Sequence, residues 1–388
     1  MLKSDFSGPS HNYETDITII GGGVAGCMAA MSLVQYYRVA LVDKLEQPPE
    51  RIGECLAPAA RRILKKLNLL EGMEAQFTSS TDKTHLVHTG TRSYWGSEQP
   101  YVTDHLRNPD GFGWHLNRQV FESYLRQSAE QRGVKCLWGL KLHESSYDDP
   151  LWQLTLQPEN KEAGEDASHI QSRFVIDASG RQSYFARRMG VEREHHDKLI
   201  SCWATLADVE GNKMARISAD KLGWWYSASL PHNRRVLALQ TDSDLIDRSV
   251  IRDPFEFIEL AKTNRAMAEV LNNSFAEITF EGSVAANSSR LKQVCGPRWA
   301  ALGDAAISFD PLSSQGMFNA MAGALQLSEL MHQLDVVQSK DKSRMQEFQD
   351  LYTQQTNRIW SHYLSHKKFF YGEERRWKDA AFWKRRHS

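Results

Sequence analysis

The chain is poor in cysteine: Cys27, Cys55, Cys136, Cys202 and Cys295 are its only five in 388 residues. No two are spaced as metal ribbons or dithiol redox motifs space them, and an odd, scattered set does not form a secreted disulfide framework. The expectation is reduced thiols in a cytoplasmic protein. An excess of either charge is also lacking, since 47 Lys and Arg face 48 Asp and Glu for a net charge of −1. No global field therefore draws the chain to nucleic acid or to an anionic membrane. Nor is there a run of about eighteen apolar residues, so no membrane span is expected, and the opening "MLKSDFSGPSHNYETD" lacks the apolar core of a secretory signal. Internal repeats and long low-complexity tracts are absent as well; "QPENKEAGEDASH" (157–169) reads as a polar loop between two strand-like runs. At this length two domains, or one with a large insertion, can bury a substantial core.

What is present starts with "DITIIGGGVAGCMAAMSL". A short apolar strand, Ile17 to Ile20, turns through glycines into a helix of small residues. Gly21, Gly23 and Gly26 have the dinucleotide spacing: the first permits a tight turn, the second lets a pyrophosphate approach the backbone, and the third lets helix and strand pack closely. The helix start then offers unpaired N–H groups and a positive dipole end to phosphates. A second strand, "RVALVD", ends at Asp43, whose carboxylate suits a ribose hydroxyl. This unit alone leaves NAD and FAD both open. Two further strand-and-turn units follow, "SRFVIDASGRQSYFARRMG" (172–190) and "RWAALGDAA" (298–306), the latter ending in Gly303 and Asp304. Next comes "DPLSSQGM" (310–317), in which Asp310 or Ser313 can cap a helix starting near Ser314, and Pro311 suits the helix entry. Gly316 weakens that first turn by about 0.5–1 kcal/mol relative to alanine, which close approach of a flat ring would explain.

With these motifs in order, the chain resembles the FAD-dependent monooxygenases and halogenases of the para-hydroxybenzoate hydroxylase fold. The resemblance implies an α/β protein with an FAD-binding Rossmann-like domain, an antiparallel-sheet substrate domain and a C-terminal helical segment. The expected FAD-binding parts are 14–75, 108–192 and 282–335, the substrate-domain parts 76–107 and 193–281, and the helical segment 336–388. FAD contacts are implied for Gly21, Gly23, Ala25, Gly26, Asp43, Lys44 and Arg51. They are implied also for Arg118 of "HLNRQVFESYL", for Gly303 and Asp304 at the ribityl chain, and for Pro311, Ser314, Gln315, Gly316 and Met317 at the ring, with Asn319 behind.

Three departures narrow the chemistry. The halogenases carry Trp-x-Trp-x-Ile-Pro where this chain reads "GWWYSASLP" (223–231), and their "PLESTG"-like loop is here "PLSSQG", with Ser313 and Gln315 replacing an acid and a threonine. Their reactive lysine has no good match in "TDKTHLVHTGTRSYWG", where Lys83 stands in a different local pattern. Single-component hydroxylases carry an Asp-Gly pair for NAD(P)H, whereas here Ser179 precedes Gly180, which implies another, unidentified reductant. With "RIGECLAP" (51–58) and the tail "FYGEERRWKDAAFWKRR" (370–386), the chain is most similar to the flavoprotein modifying enzymes that mature tryptophylquinone cofactors of quinoprotein oxidases. That similarity implies hydroxylation of a tryptophan in a precursor protein with O2, through a C4a-hydroperoxyflavin. The alternatives are a hydroxylase or halogenase of a small aromatic substrate, or a non-catalytic flavoprotein assembly partner.

Candidate catalytic groups are Glu54, His88 and Gln315, with His85 and His115 in neighbouring segments. Strand alternation puts Trp224 and Tyr226 on one face and Trp225 on the other. "AARRILKKLNLL" (59–70) reads as a packed amphipathic helix, and in the tail from Arg358 the aromatics are expected on the core with the cations facing water.

Overall fold

In the computed structural model, residues 12–78, 84–159, 167–208, 212–247, 249–271 and 278–387 are described. The strand Asn12–Ile20, the helix Val24–Leu33 and the strand Val39–Asp43 follow one another as the glycine spacing predicts. They sit in a large sheet whose order runs Cys295–Gly296, Trp299–Ala301, Ser168–Asp177, Asn12–Ile20, Val39–Asp43, Lys135–Trp138. The neighbours of Asn12–Ile20 are both parallel to it. Ile17, Ile19, Leu41, Val175 and Ile176 are almost fully buried, the continuous apolar reading of parallel strands covered on both faces. The carboxyl ends of the five parallel strands therefore lie on one edge, where Asp43 ends its strand and Gly21, Ala178 and Gly303 follow theirs; Cys295–Gly296 runs the other way.

A second, seven-stranded sheet runs in the order Ile278–Ala285, Leu199–Ala207, Arg234–Asp242, Gly223–Leu230, Met214–Asp220, Gly90–Tyr94, Tyr101–Asp104. Its pairings are antiparallel except for Met214–Asp220 with Gly90–Tyr94. Alternation along Gly223–Leu230 works as expected: Trp225 packs with Phe257, ring centroids 5.3 Å apart, while Trp224 points to the other face and donates to the Tyr371 hydroxyl at 3.0 Å. A three-stranded sheet is formed by Cys55–Leu56, Gly113–Leu116 and His85–His88, with Gly113–Leu116 in the middle.

Two expectations need correction. The segment 59–70 is not one helix: it ends at Lys66, Asn68 takes a left-handed conformation (φ 52°), and a new helix starts at Leu70. Asn tolerates that conformation better than most residues, so the break falls there. Its apolar face is nevertheless buried, with Leu64 and Leu67 in the core. In the tail, the long helix Lys342–Glu373 and the short helix Ala381–His387 bury Trp360, Tyr363, Tyr371, Phe382 and Trp383 as expected. The cations do not all face water. Lys367 is paired with Asp197, and Arg386, whose side chain is 5 % exposed, with Asp242 at 2.7 Å, while the aromatic Phe369 and Phe370 are exposed.

Candidate functional site

The glycine turn shows which of its residues serve the fold and which leave room. A Cβ on Gly21 would come within 2.3 Å of the Ala178 carbonyl oxygen, and one on Gly26 within 1.9 Å of the Gly21 carbonyl oxygen. Both positions are closed by backbone. At Gly23, the N-cap of the helix, a Cβ would meet nothing within 4 Å, and no side chain caps the helix start. An open backbone approach to uncapped N–H groups is a cradle for a pyrophosphate. Asp43 stands beside it, its carboxylate accepting from Gly22 N at 2.6 Å and Leu45 N at 2.8 Å, with lone pairs left for a ribose hydroxyl. Lys44 is exposed and Ala25 packs under Gly303.

A stripe of buried charge backs this turn, and sequence reasoning found only its first member. Arg118, Glu122 and Arg126 recur every four residues on the helix Arg118–Gln131. Glu122, 1 % exposed, pairs with Arg118 and, at 3.2 Å, with Arg51. Arg118 also donates to the Gly53 carbonyl at 2.7 Å, which fixes the "RIGE" loop. Arg126 donates to the Gly22 carbonyl at 3.0 Å, pairs with Asp43 at 3.2 Å and lies over the Trp138 ring. The four-residue period of charges on an otherwise amphipathic helix was the available signal, because such a row faces one direction.

At the other end, Gly303 adopts φ 61° and leads the turn that carries Asp304. Arg193, which no sequence motif singles out, holds that turn by donating to the Asp304 and Ala305 carbonyls at 2.8 and 3.0 Å. The Asp304 carboxylate is 41 % exposed, with Arg181 3.7 Å away. Asp177, by contrast, accepts from Ser179 and from Ala186 N and is engaged in holding its own turn.

The helix after "DPLSSQG" starts two residues later than expected. Asp310 caps a short turn, Pro311–Ser313, by accepting from Leu312 N; Ser314 is left-handed (φ 49°), and the helix runs Gly316–Gln333 with Gln315 as an N-cap that makes no side-chain cap. Pro311, Ser314, Gln315 and Gly316 are exposed, Met317 and Asn319 are partly buried, and a Cβ on Gly316 would meet nothing within 4 Å. The result is a second open, uncapped helix start, suited to the electron-rich edge of a flat ring. FAD fits the residues present: two uncapped helix starts with room at Gly23 and Gly316, and two acids, Asp43 and Asp304, for its hydroxyls.

The catalytic candidates divide. Glu54 is buried; its Oε2 accepts from Gly53 N at 3.0 Å and its Oε1 has no hydrogen-bond partner. The Tyr226 hydroxyl, also buried and unpartnered, lies close to Glu54, and burial followed by that carboxylate pushes the phenol well above its ordinary range. His88 donates from Nε2 to the Gly90 carbonyl at 2.8 Å and faces the Cys55 thiol with Nδ1 at 3.3 Å; burial lowers it to about 4. Both its nitrogens are engaged within the protein, which leaves it no proton to exchange with a substrate at neutral pH. No hydrogen bond among the described residues joins Gln315 to Glu54 or His88. Lys83 lies outside the described residues.

The comparisons agree with this arrangement. LodB of Marinomonas mediterranea, named as an FAD-dependent oxidoreductase, is 28% identical over 96% of this chain and 97% of its own length. The 1H-pyrrole-2-carbonyl-[peptidyl-carrier protein] chlorinase of Pseudomonas fluorescens is 25% identical over 81% of this chain and 74% of its own. Among solved structures, the myxobacterial chondrochloren halogenase CndH superposes with a TM-score of 0.80 at 20% identity, over 96% of this chain and 86% of that one. The peptidyl tryptophan dihydroxylase QhpG, essential for tryptophylquinone cofactor biogenesis, gives 0.75 at 19% identity, over 97% and 79%. No helix among the described residues is long and apolar enough to cross a membrane. The FAD binding domain family matches residues 14–335, which span the glycine turn, the charged stripe and the Gly303–Gly316 loop alike, and the chain belongs to that family of flavin-dependent enzymes.

Proposed function

We propose that this enzyme uses FAD and O2 to modify an electron-rich aromatic ring of the indole or phenol class, by hydroxylation or halogenation. Bound FAD supplies the redox chemistry and the activation of O2. Gly23 and the helix start behind it would take the pyrophosphate, Asp43 and Asp304 the ribose and ribityl hydroxyls, and Gly316 and Met317 the ring edge. Arg51 and Arg118 would serve by holding the 51–54 loop, and Ala25 by packing beneath Gly303. The division into FAD-binding, substrate and C-terminal parts is proposed with the boundaries given above, and a cytoplasmic location rests on the free thiols. The observation that carries the reading is the pair of buried, unpartnered groups, Glu54 Oε1 and the Tyr226 hydroxyl. The two groups lie close to each other with no other hydrogen-bond partner for either atom, and a substrate hydroxyl or indole N–H that reaches them would supply one.

The second reading is hydroxylation of a tryptophan in the precursor of a quinoprotein oxidase, with an unidentified reductant. Curated halogenases among the relatives favour the small-aromatic reading; Ser313 and Gln315 in the loop argue for oxygen transfer over halide chemistry, and a QhpG likeness over nearly the whole chain supports the precursor. One experiment separates them. The purified holoenzyme is reduced, given O2 and bromide or chloride, and offered indoles, phenols and a tryptophan-bearing precursor in separate reactions, with each product weighed. Oxygen or halogen on a small aromatic supports the first reading and oxygen on precursor tryptophan the second. Complex formation without modification supports the assembly-partner alternative, and a chain that binds no FAD overturns all three.

A further inference from the structure

In the three-stranded sheet each strand contributes one side chain to a cluster of possible metal ligands: Cys55, His115 and His88. Cys55 lies directly opposite His115, and His115 is opposite Leu86, two residues from His88. Direct and diagonal neighbours on one face of a sheet are within reach of each other. One ligand atom from each of Cys55, His88 and His115 lies within 4.8 Å of the other two. The Cys55 Sγ to His88 Nδ1 separation is 3.3 Å, and the rings of His88 and His115 stack with centroids 4.5 Å apart. Sulfur and nitrogen ligands on a tetrahedral zinc ion stand about 3.5 Å from each other, given bond lengths of about 2.3 and 2.0 Å.

Two further observations point to a ligand. His115 is wholly buried, no described side chain bonds either of its ring nitrogens, and the Ser229 backbone lies beside it. A buried imidazole left in that state is rare unless something else occupies its lone pair. His88 is already oriented as a ligand: its Nε2–H donates to the Gly90 carbonyl, so the lone pair on Nδ1 faces Cys55, and its own carbonyl accepts from His105 Nδ1 at 3.2 Å. A histidine whose far nitrogen donates to a backbone carbonyl has the tautomer and ring angle that metal ligation requires.

We propose that Cys55, His88 and His115 bind one zinc ion, with the fourth position left to water. Zinc, redox-inert and borderline-soft, suits one thiolate with two imidazoles. Binding displaces the Cys55 proton to solvent: the S–H bond breaks, an S–Zn bond forms with the same electron pair, and one H+ is released. The ion ties Cys55–Leu56, which follows Glu54, to Gly113–Leu116, which leads into Asn117 and Arg118, so it fixes the distance between the 51–54 loop and the head of the charged helix. This inference does not rest on the substrate reading above.

The test is metal analysis of the full chain, made with its FAD, in zinc-supplemented medium and purified without a polyhistidine tag. About one zinc per chain is expected, with a zinc-edge X-ray absorption spectrum fitting one sulfur and two imidazole nitrogens. Cys55→Ala and His115→Gln should each lower zinc retention at least tenfold while FAD content reports folding; His105→Gln, a neighbour that is not a ligand, should keep the metal. If either ligand variant fails to fold, chelator-stripped wild type titrated with zinc should release about one proton per ion. Wild type that takes up no zinc, copper in place of zinc, or a zinc spectrum without sulfur overturns the proposal.

Discussion

The Tyr371 hydroxyl donates a 2.8 Å hydrogen bond to the carboxylate of Asp310, which is 1 % exposed. This bond joins the long helix Lys342–Glu373 to the loop in front of Gly316. The same hydroxyl accepts from Trp224 Nε1, so the tail, the loop and the antiparallel sheet meet at one oxygen. A second tail residue, Tyr363, accepts from Asp310 N at 2.9 Å. The tail is thereby part of the scaffold that holds the proposed flavin-ring loop, in addition to covering the sheet.

Tyr371→Phe should therefore act at a distance. It leaves Asp310 with Leu312 N and the more remote Lys367, and leaves the Trp224 indole N–H without its acceptor. Loss of a buried bond to a charged group, with one donor stranded, costs about 1–3 kcal/mol. Urea unfolding should show that loss, and FAD should be released faster because the loop is less well held. Unchanged stability and FAD release would mean that the tail does not brace the loop.

The glycines of the first turn give a sharper division. Gly26→Ala drives a Cβ into the Gly21 carbonyl, a backbone clash that cannot relax locally, and should destabilise the protein by about 4 kcal/mol or more. Gly23→Ala meets open space in the chain itself and has an ordinary φ of −82°, so apoprotein stability should change by less than about 1 kcal/mol. FAD affinity should nevertheless fall at least about tenfold, because the methyl group occupies the pyrophosphate approach. Equal loss of stability in both variants, measured without FAD, would remove the distinction.

How much of this was readable beforehand follows from sequence distance. Gly21, Gly23, Gly26 and Asp43 lie within one strand–helix–strand unit, and Gly303, Asp304 and Gly316 within one short loop, so local pattern was enough to find them. Arg126 was missed because its partners Gly22 and Asp43 lie some eighty to a hundred residues earlier, and Arg193 because it holds a turn more than a hundred residues later. The expectation that the tail cations face water failed for the same reason, since the carboxylates that receive Lys367 and Arg386 are Asp197 and Asp242. The late helix start had a local cause that residue types do not display: Asp310 caps its own short turn, and Ser314 then reverses the chain before the helix can begin. Tyr226 was placed on the correct face, but its proximity to Glu54 depends on how the small sheet meets the large one.

Asp304→Ala tests the ribityl end. The carboxylate is 41 % exposed and makes no hydrogen bond among the described residues; the turn is held instead through the Asp304 carbonyl by Arg193. Folding should survive, while removal of a charged acceptor for a ribityl hydroxyl should weaken FAD binding about tenfold to a hundredfold, read by flavin fluorescence titration. Unchanged affinity would move the ribityl site elsewhere.

His85 supplies a pH dependence that is independent of the flavin. It is fully buried, accepts from Asn117 N at 3.2 Å, and burial holds its imidazole down at about 4 against 6.5 when free. Between those two values the unfolded chain binds the extra proton and the folded one does not, so stability rises with pH across the window and is lost on acidification. The increment lost between pH 7 and pH 4 is at most about 3 kcal/mol. His85→Gln removes it, because an amide can accept from Asn117 N without titrating. Urea unfolding of both proteins at several pH values should show the wild type losing more stability than the variant across this interval, by up to that amount. Parallel curves would mean that His85 is not held neutral by the fold.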